Sequence, residues 1–217
     1  MAEAAKKLAA DYPAIPVLGS LTGPISLAAS IVDPIPFLKD LRRKPCKAHL
    51  VLDYATRFLI GYAHILAENG ATLIAVGDPT ATGEILGPAM FKEYAVPYLK
   101  RVVAGVHETG LPVIVHICGN VSTVKPLLVE LGADAISVDA LINLSKMKKE
   151  FPALKTMGNV STYLLEFGPP EKIKNMTEKL VREGIDIISP ACGLSTSSPI
   201  EHIRAMTQAV IAREAGG

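Results

Sequence analysis

Six short apolar runs, at residues 15–19, 71–76, 112–116, 135–138, 154–157 and 185–189, are separated by longer stretches of helical periodicity. The predicted helices cover 44–69, 87–108, 121–131, 144–151, 161–167, 171–183 and 199–214. Strands that alternate with helices across short loops pair in parallel, because the helix supplies the crossover a parallel neighbour requires. The expected class is therefore α/β, with a parallel sheet buried on both faces. Several boundaries are written in local chemistry. Asn69-Gly70 and Gly132 stand where a helix end needs positive φ. Ser198-Pro199-Ile200-Glu201 reads as N-cap, N1 proline and N3 glutamate, a capping box. The last helix shows one apolar stripe through Ile200, Ile203, Met206 or Thr207, Val210 and Ile211. Six strands fall short of the eight that close a (β/α) barrel. No linker, low-complexity tract or repeat interrupts the chain, so residues 1–217 are expected to form a single domain.

Composition narrows the function classes. A net charge of +1, with cations spread evenly, gives no nucleic-acid or membrane surface. Hydrophobic residues make up 49% of the chain, yet no unbroken run reaches the ~18 apolar residues of a bilayer span. The opening Met-Ala-Glu-Ala-Ala-Lys-Lys lacks the apolar stretch of a signal peptide. Three cysteines, an odd number, argue against a disulfide framework. A soluble, reduced, cytoplasmic protein is the expectation.

The chemistry concentrates where apolar runs end. His116 and Cys118 follow the run Leu111-Pro112-Val113-Ile114-Val115, and Cys192 follows Ile185-Asp186-Ile187-Ile188. Residues i and i+2 of a strand share a face, so His116 and Cys118 can aim into one pocket, with Cys192 joining from another strand end. One imidazole and two thiols form the soft set that selects Zn²⁺, and three protein ligands with an open fourth position mark a catalytic metal. Asp139, ending the run Ala135-Ile136-Ser137-Val138, is a fourth candidate. Taken singly, each thiol reads as a small buried hydrophobe and the histidine as a core residue. Their common placement at strand ends favours the metal. Cys46, at a helix start, and His49, His64, His107 and His202, on helices, lack such company. Asn120 and Asn159, each after a glycine, can hydrogen-bond substrate or ligand side chains. Asp78 reads either as a turn initiator before Pro79 or as part of the loop lining the mouth, and Asn159 equally as a helix cap.

His116-Ile117-Cys118-Gly119-Asn120, Asp78-Pro79-Thr80-Ala81-Thr82-Gly83 and Ser189-Pro190-Ala191-Cys192-Gly193-Leu194-Ser195-Thr196 together resemble the uroporphyrinogen decarboxylase superfamily. Within it they are most similar to the methylcobamide:coenzyme M methyltransferase branch, from the Gly19-Ser20-Leu21-Thr22-Gly23-Pro24 turn to the last helix. The resemblance implies an eight-stranded, TIM-type barrel like that of methionine synthase, with the 15–19 run matching the family's third strand. Two amino-terminal βα units would then be missing: a shortened chain, a gene fragment or half of a split protein. An incomplete barrel exposes strand edges, so a homodimer, a swapped arrangement or a covering partner is expected. The resemblance further implies zinc on His116, Cys118 and Cys192, and a methyl-Co(III) corrinoid protein as methyl donor. The acceptor is a small thiol such as coenzyme M, bound to the metal as thiolate. Cobalamin-independent methionine synthase places a carboxylate near the position of Asp139, but as Glu, one methylene longer. A metal-free decarboxylase, for which the cysteines would lack a common purpose, and a non-catalytic fragment or assembly subunit are the rival readings.

Overall fold

The computed structural model describes residues 1–214. Five strands, β1 (Leu18–Thr22), β2 (Leu73–Gly77), β3 (Val113–Ile117), β4 (Ala135–Val138) and β5 (Thr156–Met157), form an open parallel sheet in the order of the sequence. The helices are α1 (Ala2–Asp11), α2 (Pro24–Val32), α3 (Pro34–Arg43), α4 (Pro45–Glu68), α5 (Gly87–Met90), α6 (Val96–His107), α7 (Lys125–Val129), α8 (Leu144–Glu150), α9 (Thr162–Phe167), α10 (Pro170–Arg182) and α11 (Ile200–Glu214). The chain divides into two compact units, Met1–Asp134 and Ala135 onward.

In the first unit Leu18 pairs with Leu73, and Gly77 with His116, so β1, β2 and β3 end level with one another. β3 is buried at every position except half-buried His116, as a strand covered on both faces must be. α4 packs Leu52, Ala55, Leu59, Ala63 and Leu66 inward. Gly105 of α6 lets that helix approach, since a Cβ there would meet Ile60 at 2.7 Å. In the second unit Ile136 pairs with Thr156 and Ser137 with Met157, while α10 buries Ile173, Thr177 and Leu180. Gly70 ends α4 as expected, with a φ of +90°, whereas Gly132, at +75°, lies beyond the C-cap Glu130 of the shorter α7.

The structure corrects several boundaries. The first strand starts at Leu18 rather than residue 15, because Pro16 has no N–H for a ladder. Three helices precede residue 44 where none was predicted: α1 is alanine-rich, while α2 and α3 begin at Pro24 and Pro34, the N1 position proline favours. Asp33 accepts from Ile35 N at 3.1 Å to cap α3. The expected 87–108 helix passes through a π-helical turn at Phe91–Ala95, next to Pro97, whose ring crowds the preceding turn. The predicted 121–131 helix is confined to α7. Residues 185–189 are not a sixth strand. Ile187 makes an isolated parallel bridge to Met157, and Pro190, just beyond the run, another to Val160, the two separated where Gly158 turns to a φ of +130°. The capping box is absent as well: α11 starts at Ile200, the Pro199 carbonyl accepts from His202 and Ile203, and the buried Ser198 Oγ has no hydrogen-bond partner. The stripe of α11 is narrower than expected, with Met206 and Ala209 buried but Ile200 and Ile211 exposed.

Among the described residues α4 is the one helix long and apolar enough to cross a membrane by length and composition. β1 ends the strand order, and its Leu18, with Leu8, Tyr12 and Ile15 before it in the chain, is exposed.

Asp186 ties the bridged segment to β5. Its Oδ2 accepts from Lys148 Nζ at 2.5 Å, Thr156 N at 2.8 Å and Thr156 Oγ1 at 3.0 Å. Burial alone would raise this carboxyl, but those donors outweigh it and hold it down at about 2. A lowered acid stabilises the fold above the ordinary 3.8, and the contribution disappears as pH falls through about 2. Asp186→Asn is expected to lose about 2 kcal/mol at neutral pH, with the gap to the parent closing across that acid window in urea titrations.

Candidate metal centre

His116 occupies the fourth position of β3, and Cys118 follows the strand. Between them Ile117 is fully buried, so the alternation of the strand sends His116 and Cys118 to the opposite side from that apolar contact. Both are half-buried. His116 Nε2 lies 3.0 Å from Cys118 Sγ. The main chain that carries them is fixed: the Asp78 amide donates to the His116 carbonyl at 3.0 Å, and Gly119 turns the chain away at a φ of +68°. Cys192, also half-buried, follows the Val160–Pro190 bridge. The ligand atoms of His116, Cys118 and Cys192 lie within 4.8 Å of one another, a group able to hold a metal ion. Tetrahedral zinc, with bonds of about 2.0–2.1 Å to nitrogen and 2.3 Å to sulfur, sets its ligand atoms roughly 3.5–3.8 Å apart. The donor set fits that ion, and the 3.0 Å pair and the 4.8 Å bound on the whole group bracket that spacing. Cys46 is exposed at the start of α4, as expected of an incidental thiol.

The other candidates are placed differently from one another. Asp139 is half-buried, and its Oδ1 accepts from the Leu141 amide at 3.0 Å, a turn-forming bond; it is not one of the three clustered residues. Asn120 is exposed, and its Oδ1 likewise accepts from Ser122 N at 3.0 Å. Asn159 is buried, and its Nδ2 donates to the carbonyls of Asp139 at 3.0 Å and Ile142 at 2.8 Å. That amide therefore fixes the loop after β4 instead of capping α9, whose cap is Ser161, accepting from Leu164 N.

Asp78 is fully buried at the end of β2. Its carboxylate receives the Ile25 amide at 3.0 Å, the Ser26 amide at 2.9 Å and the Ser26 hydroxyl at 2.6 Å. These are first-turn groups of α2, so Asp78 caps that helix from a different βα unit. Gly23 permits the approach, because a Cβ on it would stand 2.4 Å from the Asp78 Cβ. Burial pushes the carboxyl up to about 6 against the pull of its donors. The side chain holds the loop; it does not line an open mouth.

Glu84 was not foreseen. Its exposed carboxylate reaches back over the exit of β3, with Oε2 3.4 Å from Asn120 N. Gly83 allows this fold-back, since a Cβ there would meet the Asn120 carbonyl at 2.7 Å. The only sequence signal was its place directly after the Asp78-to-Gly83 segment.

Comparison with known proteins bears on this geometry. The family model described as Uroporphyrinogen decarboxylase (URO-D) matches residues 1–213. The chain is 31% identical to the methylcobamide:CoM methyltransferase MtbA of Methanosarcina acetivorans, over 95% of its own length and 61% of that protein's. It is 30% identical to the methylcobamide:CoM methyltransferase MtaA of Methanosarcina barkeri, over 91% of this chain and 58% of that one. A solved structure of a methyltransferase from Methanosarcina mazei superposes with a TM-score of 0.93 and 29% identity, covering 98% of this chain and 64% of that one. The chain thus spans roughly six tenths of the relatives it matches.

Proposed function

Since the chain belongs to the uroporphyrinogen decarboxylase family, and is 30% and 31% identical to two methylcobamide:CoM methyltransferases, we propose that it forms a zinc site for methyl transfer from a methylated corrinoid to a thiol. The observation that carries this reading is the convergence of His116, Cys118 and Cys192. A metal-free decarboxylase has no use for two thiols and an imidazole brought together.

His116, Cys118 and Cys192 would hold the ion, with Asp139 or solvent at the fourth position until the acceptor arrives. Zinc when bound would supply a thiol deprotonated at neutral pH, where a free one with pKa near 8.5 stays largely protonated. The chain's own residues set the stage for that thiol. The Asp78 amide orients the His116 backbone, and Asp78 clamps α2 beside it. Gly119 leaves the turn after Cys118 without a side chain. Asn120 and Glu84 stand exposed at the exit of β3, where a substrate's polar end can meet them. Asn159 keeps the loop bearing Asp139 in place. The donor is a corrinoid protein and the acceptor a small thiol, of which coenzyme M is the one named for the relatives.

The test has two readouts. X-ray absorption on zinc-loaded protein is expected to show one nitrogen and two sulfur ligands, with a third sulfur after thiol addition. Demethylation of methylcobalamin by the loaded chain and a thiol is then expected, followed optically as the methyl–cobalt bond is lost. Absence of a sulfur shell sinks the site. A sulfur shell without turnover, retained on adding thiol, sinks the methyltransferase reading for this chain alone.

A further inference from the structure

Positive charge is unevenly spread along this chain. Its net charge is +1, yet residues 39–47 hold Lys39, Arg42, Arg43, Lys44 and Lys47 against the one acid Asp40, a local +4. Asp40 pairs with Lys44 at 3.7 Å and Lys47 at 3.5 Å, so those two are answered within the chain. Among the described residues Lys39, Arg42 and Arg43 have no ion-pair partner.

Those three cations line a groove of 410 Å³ in the first unit, and no acidic side chain shares it. Ile35, Leu38, Lys39 and Arg42 recur at i, i+3, i+4 and i+7 on one face of α3, with Ile85 and Met90 of the α5 segment as the other wall. α3 already buries Phe37 and Leu41 in the core, so this is a second apolar side that the chain leaves open. Ile35 is 64% exposed and Ile85 46%. Arg42 Nε donates to Met90 Sδ at 3.4 Å, which holds the guanidinium across the groove, while the weak thioether acceptor leaves its charge unbalanced. At Arg42 and Met90 the groove continues into a second cavity of 460 Å³ beside Leu41, Pro45 and Pro88, with Glu93 as the acid there. α3 and α5 follow the carboxyl ends of β1 and β2, which lie level with His116.

The shape and charge of the groove select one kind of occupant. A bilayer surface takes up apolar faces that protrude, whereas here the apolar residues and the cations share a concavity. A small anion needs enclosure, and Lys39, Arg42 and Arg43 are exposed. The ten residues of α3 give a wall about 15 Å long, room for two to three turns of a second helix. Such a helix, apolar along one stripe and acidic beside it, satisfies both features: its apolar side chains cover the floor while its carboxylates meet the cations. We propose that the groove between α3 and the α5 segment docks an acidic amphipathic helix of a partner protein, with Ile35 and Ile85 taking its apolar stripe and Lys39, Arg42 and Arg43 its carboxylates. The proposal is independent of the metal and of the reaction.

Fluorescence anisotropy on the full chain tests it. The probe is a labelled peptide of about 16 residues with leucine at i, i+3, i+4 and i+7 and glutamate at the flanking positions. The parent is expected to bind it with a Kd on the order of tens of micromolar, and the same peptide with lysine for glutamate at least ~tenfold more weakly. Ile35→Ser is expected to cost about tenfold, as loss of one buried aliphatic side chain implies, with the circular dichroism unchanged. The double variant Lys39→Glu, Arg43→Glu is expected to reverse the preference and bind the lysine peptide better, an outcome that a merely weakened fold would not produce. No binding of the acidic peptide at about 1 mM overturns the proposal, as does equal binding of both peptides by the parent. Binding unmoved by Ile35→Ser would leave a charged surface without a helix groove and overturns it too. Vesicles of phosphatidylglycerol and phosphatidylcholine cover the other occupant: co-sedimentation lost in the double variant, with the acidic peptide unbound by the parent, would assign the groove to a lipid surface instead.

Discussion

Asp78→Ala is expected to destabilise the fold by about 3–5 kcal/mol, although the residue is not one of the three candidate metal ligands. The reason is the number of donors it satisfies. Removing the carboxylate strands the Ile25 and Ser26 amides and the Ser26 hydroxyl in a site fully closed to water. Each unsatisfied buried donor costs about 1–3 kcal/mol, and partial relaxation keeps the total below their sum. Asp78→Asn retains one acceptor and turns an amide toward the second donor, so it is expected to fall between the parent and alanine. The pH dependence separates this account from simple cavity formation. Burial raises the Asp78 carboxyl from 3.8 to about 6, so between those values the native chain holds a proton that the unfolded chain has lost. Parental stability relative to Asp78→Ala should therefore be greatest below 3.8 and decline as pH rises through about 6, by up to roughly 3 kcal/mol. Urea unfolding of both proteins across that range checks it. A gap that stays constant, or widens with pH, contradicts the buried-carboxyl account.

Asp78 also shows what the sequence could and could not disclose. Its position after an apolar run was legible, and so were His116, Cys118 and Cys192, because a strand end is signalled locally by Gly, Asn and Pro. The partner of Asp78 was not. The Gly23–Pro24 turn is distant in sequence, and only the level ends of β1 and β2 bring its amides under the carboxylate. Glu84 was hidden for the same reason, since the fold-back depends on Gly83 meeting the Asn120 backbone. Helical periodicity found α4 and α10 to within a residue or so at each end. It passed over α1, whose signal was its alanine content, and α2 and α3, where proline at N1 was the available signal. The sixth apolar run had the composition of a strand but not its continuous pairing, because the bridges to Met157 and Val160 stay isolated on either side of Gly158. Ser198 had the composition of a cap but not the geometry, because α11 begins one residue further on. Local chemistry thus located the strand ends, while long-range backbone packing decided what each side chain there could do.

The second large effect concerns the thiols. Cys118→Ala and Cys192→Ala are each expected to leave zinc far below one equivalent after dialysis against a chelator, whereas Cys46→Ala keeps it. Losing one of three ligands removes a metal–thiolate bond outright and should exceed the ~10–100-fold penalty for deleting a supporting hydrogen bond. Asp139→Ala provides the contrast within the same protein. Its carboxylate already accepts from the Leu141 amide, so its loss is expected to fall in that lesser range and to leave stoichiometry near that of the parent when zinc is in excess. His116→Ala should resemble the cysteine variants, because the His116 and Cys118 ligand atoms are only 3.0 Å apart and act as one arm of the site. Mass-spectrometric zinc counting, with circular dichroism to confirm that each variant is folded, separates ligand loss from unfolding. Full occupancy in a folded Cys118→Ala, Cys192→Ala double variant would mean that the cluster is packing rather than coordination. Equal losses in the Asp139 and cysteine variants would instead make the carboxylate a full ligand, leaving the acceptor thiol to displace it rather than to enter an open position.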